Sequence, residues 1–377
     1  MKKEPYDIIF YYPQHFNRNK KGKNPFFEPL INICKSSNIR YLVIEEPDNK
    51  TIFPRNKEAI KFDIYFYTIL ILRKIIPLSL FTSAEKKEQW IGSFMRKITF
   101  LKFNAKTILT LSNSMGGVWR GYNTKARIID YQHGIIDKNQ TGFFNKGNVP
   151  SHIIENNKEV AVWGKGFYEV FKQNKMYYKK RIHLLGYSQL VQNQETNIKY
   201  ENKIIFSLQF VPELNANLKQ EMLVEIQKTL AELNTLSDEK KPNILLMNHP
   251  RNNNMEDLTD LIKKFKFVSI LSNNEVSSKQ NYLLHVTFYS TTTFEMAMRG
   301  IPTYFLSSKN ILHNKIFLKD YNYPIRQKTS LKKLLSLYQD NKEIRTSHAY
   351  LVKKWSNYYF QPLNKNVFLK LLMTDYK

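Results

Sequence analysis

Three polar segments of the chain directly follow apolar runs, and the first places a histidine close to a carboxylate. It reads Asp130-Tyr131-Gln132-His133-Gly134. An imidazole can accept a proton from a hydroxyl near neutral pH, and a nearby carboxylate can orient it. A glycine lets the backbone approach a ligand closely. The segment suits acid–base chemistry; the alternative is a histidine that only completes the hydrogen bonds at a strand end.

The second segment reads Asn248-His249-Pro250-Arg251. Proline restricts the local backbone, so the neighbouring imidazole can be held rigidly. The guanidinium of Arg251 presents a fork of donors that matches a phosphate. The segment therefore suits a phosphate-bearing ligand. The alternative is an ordinary turn, in which proline flanked by asparagine is common.

The third segment is the hydroxyl-rich run Ser290-Thr291-Thr292-Thr293, followed by a predicted helix that contains Glu295 and ends at Gly300. Hydroxyls and backbone amides at the start of a helix bind anions, because unpaired N–H groups and the helix dipole converge there. This predicts a phosphate site. The alternative is that Ser290 only caps the helix and Glu295 only adds a favourable charge to its first turn.

Short apolar runs alternate with helical patterns along the chain, which is typical of parallel α/β sheets. In such sheets, ligands bind beyond the carboxyl ends of the strands, where all three segments lie. The predicted strands cover residues 6–12, 41–46, 106–111, 126–131 and 159–164, with a second series near residues 204, 245, 268, 286 and 304. We predict an α/β protein with domains at 1–190 and 200–345, and carboxy-terminal helices at 346–377 that pack back across both.

The chain is strongly cationic, with 58 basic and 32 acidic residues and a net charge of +26. Such a surface attracts nucleic acid, acidic lipids or anionic small molecules such as sugar nucleotides. The basic residues are scattered and form no recognisable nucleic-acid-binding motif, so we do not expect nucleic acid as a partner. Cys34 is the only cysteine, which excludes an intrachain disulfide framework and favours a reducing cytoplasm.

Two segments concern membranes. Charged residues and a proline interrupt the apolar stretch 64–80, so we predict no transmembrane helix there. Residues 85–103 mix basic and aromatic side chains at helical spacing. This indicates either a surface helix packed on one apolar face or a peripheral helix on an anionic lipid surface. We find no secretory signal and expect a cytoplasmic protein, peripheral on the inner membrane face in the second case.

The three polar segments together resemble a known group of enzymes. The string STTTFEMAMRGIPT, which starts at Ser290, resembles the nucleotide-phosphate element in the second domain of GT-B glycosyltransferases. His249-Pro250 resembles the His-Pro motif of bacterial sialyltransferases and related capsule enzymes that use cytidine-activated donors. The segment from Tyr131 to Gly134, with the later strings VAVWGKGFYEVF and RIHLLGYSQL, is similar to the first domain of capsule polysaccharide and teichoic-acid-type transferases.

The resemblance implies a GT-B fold, with two Rossmann-like domains facing across a cleft. It implies His133 as the catalytic base with Asp130 in reserve, and acceptor contacts from Gln132 and Gly134. The donor-binding residues that it implies are His249, Pro250, Ser290, Thr291, Thr292 and Glu295, and we add Arg251 because its guanidinium matches a phosphate. The acidic segment that supplies the base in sialyltransferases is missing from this sequence, and so is an Asp-x-Asp metal motif. We therefore expect no cofactor and no required metal.

The prediction that follows is an inverting glycosyltransferase that moves a sugar from a nucleotide-activated donor to a surface polysaccharide, such as capsule or lipopolysaccharide, or to a lipid-linked glycan. A CMP-linked donor is favoured, and UDP- and GDP-sugars stay open. One alternative is a CDP-glycerol-type polyol-phosphate transferase. A non-enzymatic alternative is a basic protein that binds nucleic acid or acidic polysaccharide. The sequence leaves open the donor, acceptor, linkage, stereochemistry and oligomeric state.

Overall fold

The computed structural model of the chain describes residues 5–18, 20–49, 51, 53–99, 103–112, 115–138, 140–145, 147–174, 176–190, 200–211, 214–249, 256–271, 282–308, 310–311 and 316–373. The chain divides into two compact units. The first comprises residues 1–192 and 359–377, and the second comprises residues 193–358.

A parallel sheet forms the centre of the first unit. Its strands in the described residues are β1 (Tyr6–Pro13), β2 (Tyr41–Glu46), β3 (Ile60–Lys61), β4 (Ala105–Leu111), β5 (Arg127–Tyr131), β6 (Lys158–Val162) and β7 (Ile182–Leu184). Their order across the sheet is β3-β2-β1-β4-β5-β6-β7, with every neighbouring pair parallel. β5 and β6 are buried along their whole length, including the two charged residues that each of them contains.

The helices of this unit connect successive strands of the sheet. They are α1 (Glu28–Ser36), α2 (Asp63–Ile75), α3 (Ala84–Ile98), α4 (Gly116–Tyr122), α5 (Ser151–Ile154) and α6 (Lys165–Asn174). α3 and α4 pack with their backbones nearly in contact. A Cβ on Gly92 would lie 2.0 Å from the carbonyl oxygen of Val118, and one on Gly121 would lie 1.8 Å from that of Gln89. Glycine is therefore required at both positions.

The second unit also holds a parallel sheet, with the strand order β10-β9-β8-β11-β12. Its strands are β8 (Glu201–Ser207), β9 (Asn243–Met247), β10 (Val268–Leu271), β11 (Tyr282–Thr287) and β12 (Thr303–Phe305). Its helices are α7 (Ala216–Asn234), α8 (Glu256–Lys264), α9 (Thr292–Met298), α10 (Leu331–Asp340) and α11 (Lys342–Tyr359). α7 begins where the Asn215 side chain accepts hydrogen bonds from the amides of Asn217 and Leu218.

A buried histidine links three strands of the second sheet. His285 on β11 lies within hydrogen-bonding distance of Ser207 Oγ at 2.8 Å and of Thr303 Oγ1 at 2.9 Å. Burial lowers its pKa to about 3, so the ring is neutral at pH 7. Both ring nitrogens of His285 have hydrogen-bond partners within the sheet, so its role is structural.

The last helix, α12 (Lys365–Met373), belongs to the first unit. Arg127 donates to the Leu371 carbonyl oxygen at 2.6 Å and forms a forked pair with Glu159 at 3.0 and 2.5 Å. His183 lies 2.5 Å from the same carboxylate. Burial opposes ionisation of Glu159, but the hydrogen bonds from His183 and Arg127 lower its pKa to about 2. The ion pair thus ties the carboxy-terminal helix to β5 and β6.

The predicted alternation of strands and helices in two parallel α/β units is confirmed. β3 and β7 were not predicted, because they have two and three residues and are too short to show a pattern. Among the described residues, the apolar stretch near residue 70 forms α2, and no helix has the length and hydropathy needed to cross a membrane.

Candidate active site

The carboxyl ends of the first sheet gather polar and aromatic side chains from several loops. The strand order reverses between β1 and β4, which is where open parallel sheets bind ligands. β1 leads into His15 and Phe16, β2 into Asp48, and β5, next to β4, into Gln132 and His133. We call these five residues the histidine edge.

The turn after β5 is held by side chains that bond to backbone. Gln132 donates through Nε2 to the Gly134 carbonyl oxygen at 2.8 Å, and its Oε1 accepts from the Trp163 amide at 2.9 Å. The Tyr131 hydroxyl donates to the carbonyl oxygen of Gly186 at 2.7 Å. These bonds position His133. The Gln132 side chain makes both of these hydrogen bonds to backbone groups. Its contact with an acceptor stays a prediction.

His133 is half-buried beside an aromatic ring. Its ring centroid lies 5.2 Å from that of Phe16, and the two planes are nearly perpendicular. Nδ1 is buried and has no hydrogen-bond partner among the described residues. Burial lowers the pKa of the imidazole, the charge of Asp130 opposes this, and His15 lowers the pKa further. His133 is therefore neutral at pH 7 and able to accept a proton.

Asp130 lies on β5 and is buried within the sheet rather than exposed at its surface. It is 0% exposed, and its Oδ1 accepts a hydrogen bond from Thr110 Oγ1 at 3.0 Å. Its charge raises the pKa of both His133 and Lys158. A completely buried carboxylate does not touch a bound acceptor, so this placement suits an electrostatic role better than a direct exchange of protons.

Lys158, at the start of β6, is a buried charged residue that was not predicted. It is 2% exposed, and its ammonium occupies space beside Gly116, where a Cβ would lie 2.3 Å from Nζ. Burial lowers its pKa to about 8, against the opposing charges of Asp130 and Glu85. It lines a cavity of about 320 Å³ together with other charged and polar side chains: Arg73, Glu85, Glu88, His152 and Asn156.

The histidine edge also contains an exposed imidazole, His15, which was not predicted. His15 Nδ1 lies 2.7 Å from Asp48 Oδ2, and its ring packs 4.5 Å from that of Phe16. The pair is partly exposed, with 47% of the His15 side chain accessible. Its position directly after the first predicted strand was the one available signal.

The carboxyl ends of the second sheet carry a different set of groups. Its strand order reverses between β8 and β11. β8 leads to Gln209, β9 to His249, and β11 ends at Thr287, from which the chain continues to Ser290 and Thr292. We call these five residues the hydroxyl edge.

The hydroxyls of this edge form a connected chain at the start of α9. Thr287 Oγ1 lies 2.9 Å from Gln209 Oε1 and accepts a hydrogen bond from the Ser290 amide at 3.2 Å. Ser290 Oγ donates to Thr292 Oγ1 at 2.9 Å and accepts from the Thr292 amide at 3.2 Å. Ser290 is only 6% exposed. The N-cap residue of α9 is Thr291, whose side chain makes no capping hydrogen bond, so the Ser290 hydroxyl lies one residue before the cap. An entering anion would have to exchange with these internal bonds.

The remaining predicted donor residues are only partly described. His249 is half-buried, and its amide donates to Asn248 Oδ1 at 2.9 Å. Thr291 and Glu295 are exposed near the start of α9. Pro250 and Arg251 lie outside the described residues. Within the part of the chain that the structure describes, no cluster of three or more histidine, cysteine or carboxylate groups could hold a metal.

Each edge can thus do one part of a group transfer. The histidine edge offers a neutral imidazole that can accept a proton, and the hydroxyl edge offers hydroxyls that can donate hydrogen bonds to an anion. The fold to which both belong is of the GT-B type, with two parallel α/β units.

Solved structures with this fold cover nearly the whole chain. Teichoic acid polymerase TagF is 14% identical and matches with a TM-score of 0.54, over 97% of this chain and 87% of that one. S. aureus MnaA, solved with UDP, is 12% identical, with a TM-score of 0.55 over 97% and 94% of the two chains. The glycotransferase of kitacinnamycin is 8% identical, with a TM-score of 0.52 over 98% and 100%.

Similarity in sequence is much weaker. No family model matches the chain, and no curated protein is significantly similar to it. At these identities the likeness to solved structures establishes the fold alone.

Proposed function

We propose that this chain is a nucleotide-sugar-dependent glycosyltransferase that acts on a surface polysaccharide or a lipid-linked glycan. The observation that carries the proposal is His133, an imidazole at the carboxyl edge of a parallel sheet whose surroundings keep it neutral. A group of this kind suits the removal of a proton from an acceptor hydroxyl. The GT-B fold supplies the second support, because neighbours with this fold include TagF and a protein solved with UDP.

In the proposed reaction, His133 takes the proton of the acceptor hydroxyl while the acceptor oxygen attacks the anomeric carbon of the donor. The new glycosidic bond forms as the bond from that carbon to the phosphate oxygen breaks, and the configuration inverts. The negative charge on the departing phosphate is stabilised by donors of the hydroxyl edge, mainly Ser290, Thr292 and His249. Buried Asp130 stabilises the imidazolium that forms. The proposal uses no metal.

A second candidate is transfer of a polyol phosphate from a CDP-glycerol-type donor. The match to TagF over 97% of the chain favours it. The same base would serve, but the acceptor oxygen would attack phosphorus and break a phosphoanhydride bond. A third candidate, epimerisation of a nucleotide sugar, is raised by the neighbour UDP-GlcNAc 2-epimerase from Neisseria meningitidis, which is 7% identical with a TM-score of 0.56.

One assay separates these candidates. The full chain is incubated with CMP-, UDP- and GDP-sugars and with CDP-glycerol, in the presence of EDTA and a panel of glycan acceptors. Sugar transfer should release CMP, UDP or GDP in step with a lengthened acceptor. Glycerol phosphate on the acceptor would select the second candidate, and an epimerised donor with no acceptor the third.

The variants His133→Ala, His249→Ala and Ser290→Ala test the site, with His348→Ala as the control. His348 lies on α11, where its Nδ1 is 2.7 Å from the Tyr338 hydroxyl, and the proposal gives it no role. We expect the control to retain the native transfer rate at limiting donor, while each of the three site variants transfers more slowly. Full activity in all three site variants would disprove the assignment.

A further inference from the structure

The helices α2 and α3 expose an unusual share of the large apolar side chains. Among the described residues, 17 such side chains are exposed, and nine of them lie between residues 64 and 98. These nine, which we call the α2–α3 surface, are Ile64, Tyr67, Leu70, Ile71, Ile75, Leu78, Leu80, Trp90 and Ile98. Concentrated apolar exposure of this kind marks a binding surface rather than ordinary scatter.

The exposed residues of α2 lie along one face of the helix. Ile64, Tyr67, Ile71 and Ile75 recur at spacings of three and four residues, which places them on a common stripe. Ile64 is 80% exposed and Ile75 is 67% exposed, whereas Ile69 is the one fully buried residue of this helix. The helix therefore presents an apolar stripe to the outside.

α2, α3 and the turn between them are held together by specific contacts. Arg73 near the end of α2 forms a forked ion pair with Glu88 on α3, at 2.8 and 2.5 Å. Trp90 stacks on Phe94 with centroids 5.5 Å apart, and its ring lies 6.0 Å from that of Phe81 in the turn. The exposed apolar residues therefore belong to one connected piece of structure.

The exposed charged side chains of α2 and α3 are basic. The three acidic residues of the two helices are all engaged by neighbours: Asp63 by Arg55 at 2.7 Å, Glu88 by Arg73, and Glu85 by Ser151 at 3.1 Å. Four basic side chains of the same helices are exposed, namely Lys74, Lys86, Arg96 and Lys97. An apolar surface with a cationic surround complements an anionic interface.

We propose that the α2–α3 surface binds the face of an anionic phospholipid bilayer. The apolar side chains enter the boundary between head groups and acyl chains, and the basic ones meet lipid phosphates. α2 has 13 residues and is therefore about 20 Å long, too short for a hydrocarbon core of about 30 Å, so it lies in the plane of the interface. A second copy is a poorer occupant, because it would bring two cationic faces together on chains of net charge +26. The inference does not depend on the proposed function.

Vesicle flotation of the full chain tests this inference. Vesicles of phosphatidylcholine alone are compared with vesicles of equal parts phosphatidylcholine and phosphatidylglycerol. We expect binding to the anionic vesicles that is at least about tenfold stronger than to the neutral ones and that weakens as salt is added. Combining Ile64→Ser, Ile71→Ser and Leu80→Ser should weaken the anionic binding roughly tenfold or more.

A matched control replaces exposed apolar residues elsewhere, Val224→Ser with Met373→Ser, which are 54% and 83% exposed in the native chain. This control should bind like the native chain, and both variants should keep the native melting temperature. Equal binding by the triple variant and the control, or no binding to anionic vesicles, would overturn the inference. The inference would also be overturned if light scattering showed a dimer that the triple variant abolishes and the control does not, while the native chain bound no vesicles. The occupant of the α2–α3 surface would then be a second copy.

Discussion

The histidine edge and the hydroxyl edge lie at the same place on the same kind of sheet, yet they hold different chemistry. Both lie at the carboxyl ends of strands around a reversal of strand order. The first presents a titratable ring whose Nδ1 has no partner among the described residues, and the second presents hydroxyls that bond to one another and to backbone. Topology therefore locates a binding edge, while the residues that follow each strand decide whether that edge transfers protons or binds an anion.

The largest expected effect separates proton transfer from binding. His133→Gln keeps a polar side chain of similar length but removes the proton acceptor, so we expect the transfer rate to fall about 100- to 10,000-fold. Donor binding, followed by thermal shift with the nucleotide that the assay selects, should stay near the native level. If donor binding falls as far as the rate, the histidine edge holds the donor and the distinction between the two edges fails.

The next largest effect should fall on donor binding rather than on the rate of the chemical step. Ser290→Ala removes one hydroxyl that is proposed to stabilise phosphate, and we expect the KM for the donor to rise about tenfold with a smaller change in kcat. The control is Thr346→Val on α11, whose hydroxyl donates to the carbonyl oxygen of Lys342 at 2.9 Å and which should leave both constants unchanged. A loss confined to kcat would mean that the hydroxyl edge does more than hold the donor.

A smaller effect should come from the glycine beside the proposed base. A Cβ on Gly134 would meet no atom within 4 Å, so Gly134→Ala should keep the native melting temperature. If an acceptor passes close to this backbone, the added methyl group will raise the KM for the acceptor several-fold. Acceptor kinetics unchanged by the substitution would remove Gly134 from the acceptor site.

The smallest effect concerns pH. Because burial lowers the pKa of His133, the neutral form that accepts the proton persists below pH 6.5, and the acidic limb of the rate profile should lie below that value. The charge of Asp130 raises this pKa, so Asp130→Asn should move the limb to still lower pH while the enzyme remains active. Complete loss of activity in a variant that remains folded would instead make Asp130 the base.

Much of this arrangement could be predicted from the sequence, because buried strands of parallel sheets contain short runs of apolar residues. The strand predicted at 126–131 is observed as β5 (Arg127–Tyr131), which placed His133 just past a strand end. The hydroxyl-rich run 290–293 likewise begins just after β11 and continues into the first turn of α9. In both cases the local order of apolar, polar and glycine residues carried the information.

The rest depended on contacts between distant parts of the chain. A lysine is expected at the surface from sequence alone. The burial of Lys158 depends on the space beside Gly116 on α4. The pairing of His15 with Asp48 exists only because β1 and β2 lie side by side. The exposed stripe of α2 resembles a core helix in sequence, since periodicity shows which residues share a face but not what covers it.

The most direct test of the central claim is chemical rescue of His133→Ala by added imidazole. If His133 removes the acceptor proton, the variant should bind donor, release nucleotide very slowly, and regain part of the native rate as imidazole is added, with the recovered rate following the fraction of imidazole that is unprotonated. Full transfer activity in His133→Ala without imidazole, or a slow variant that imidazole does not accelerate at any pH, would contradict the account.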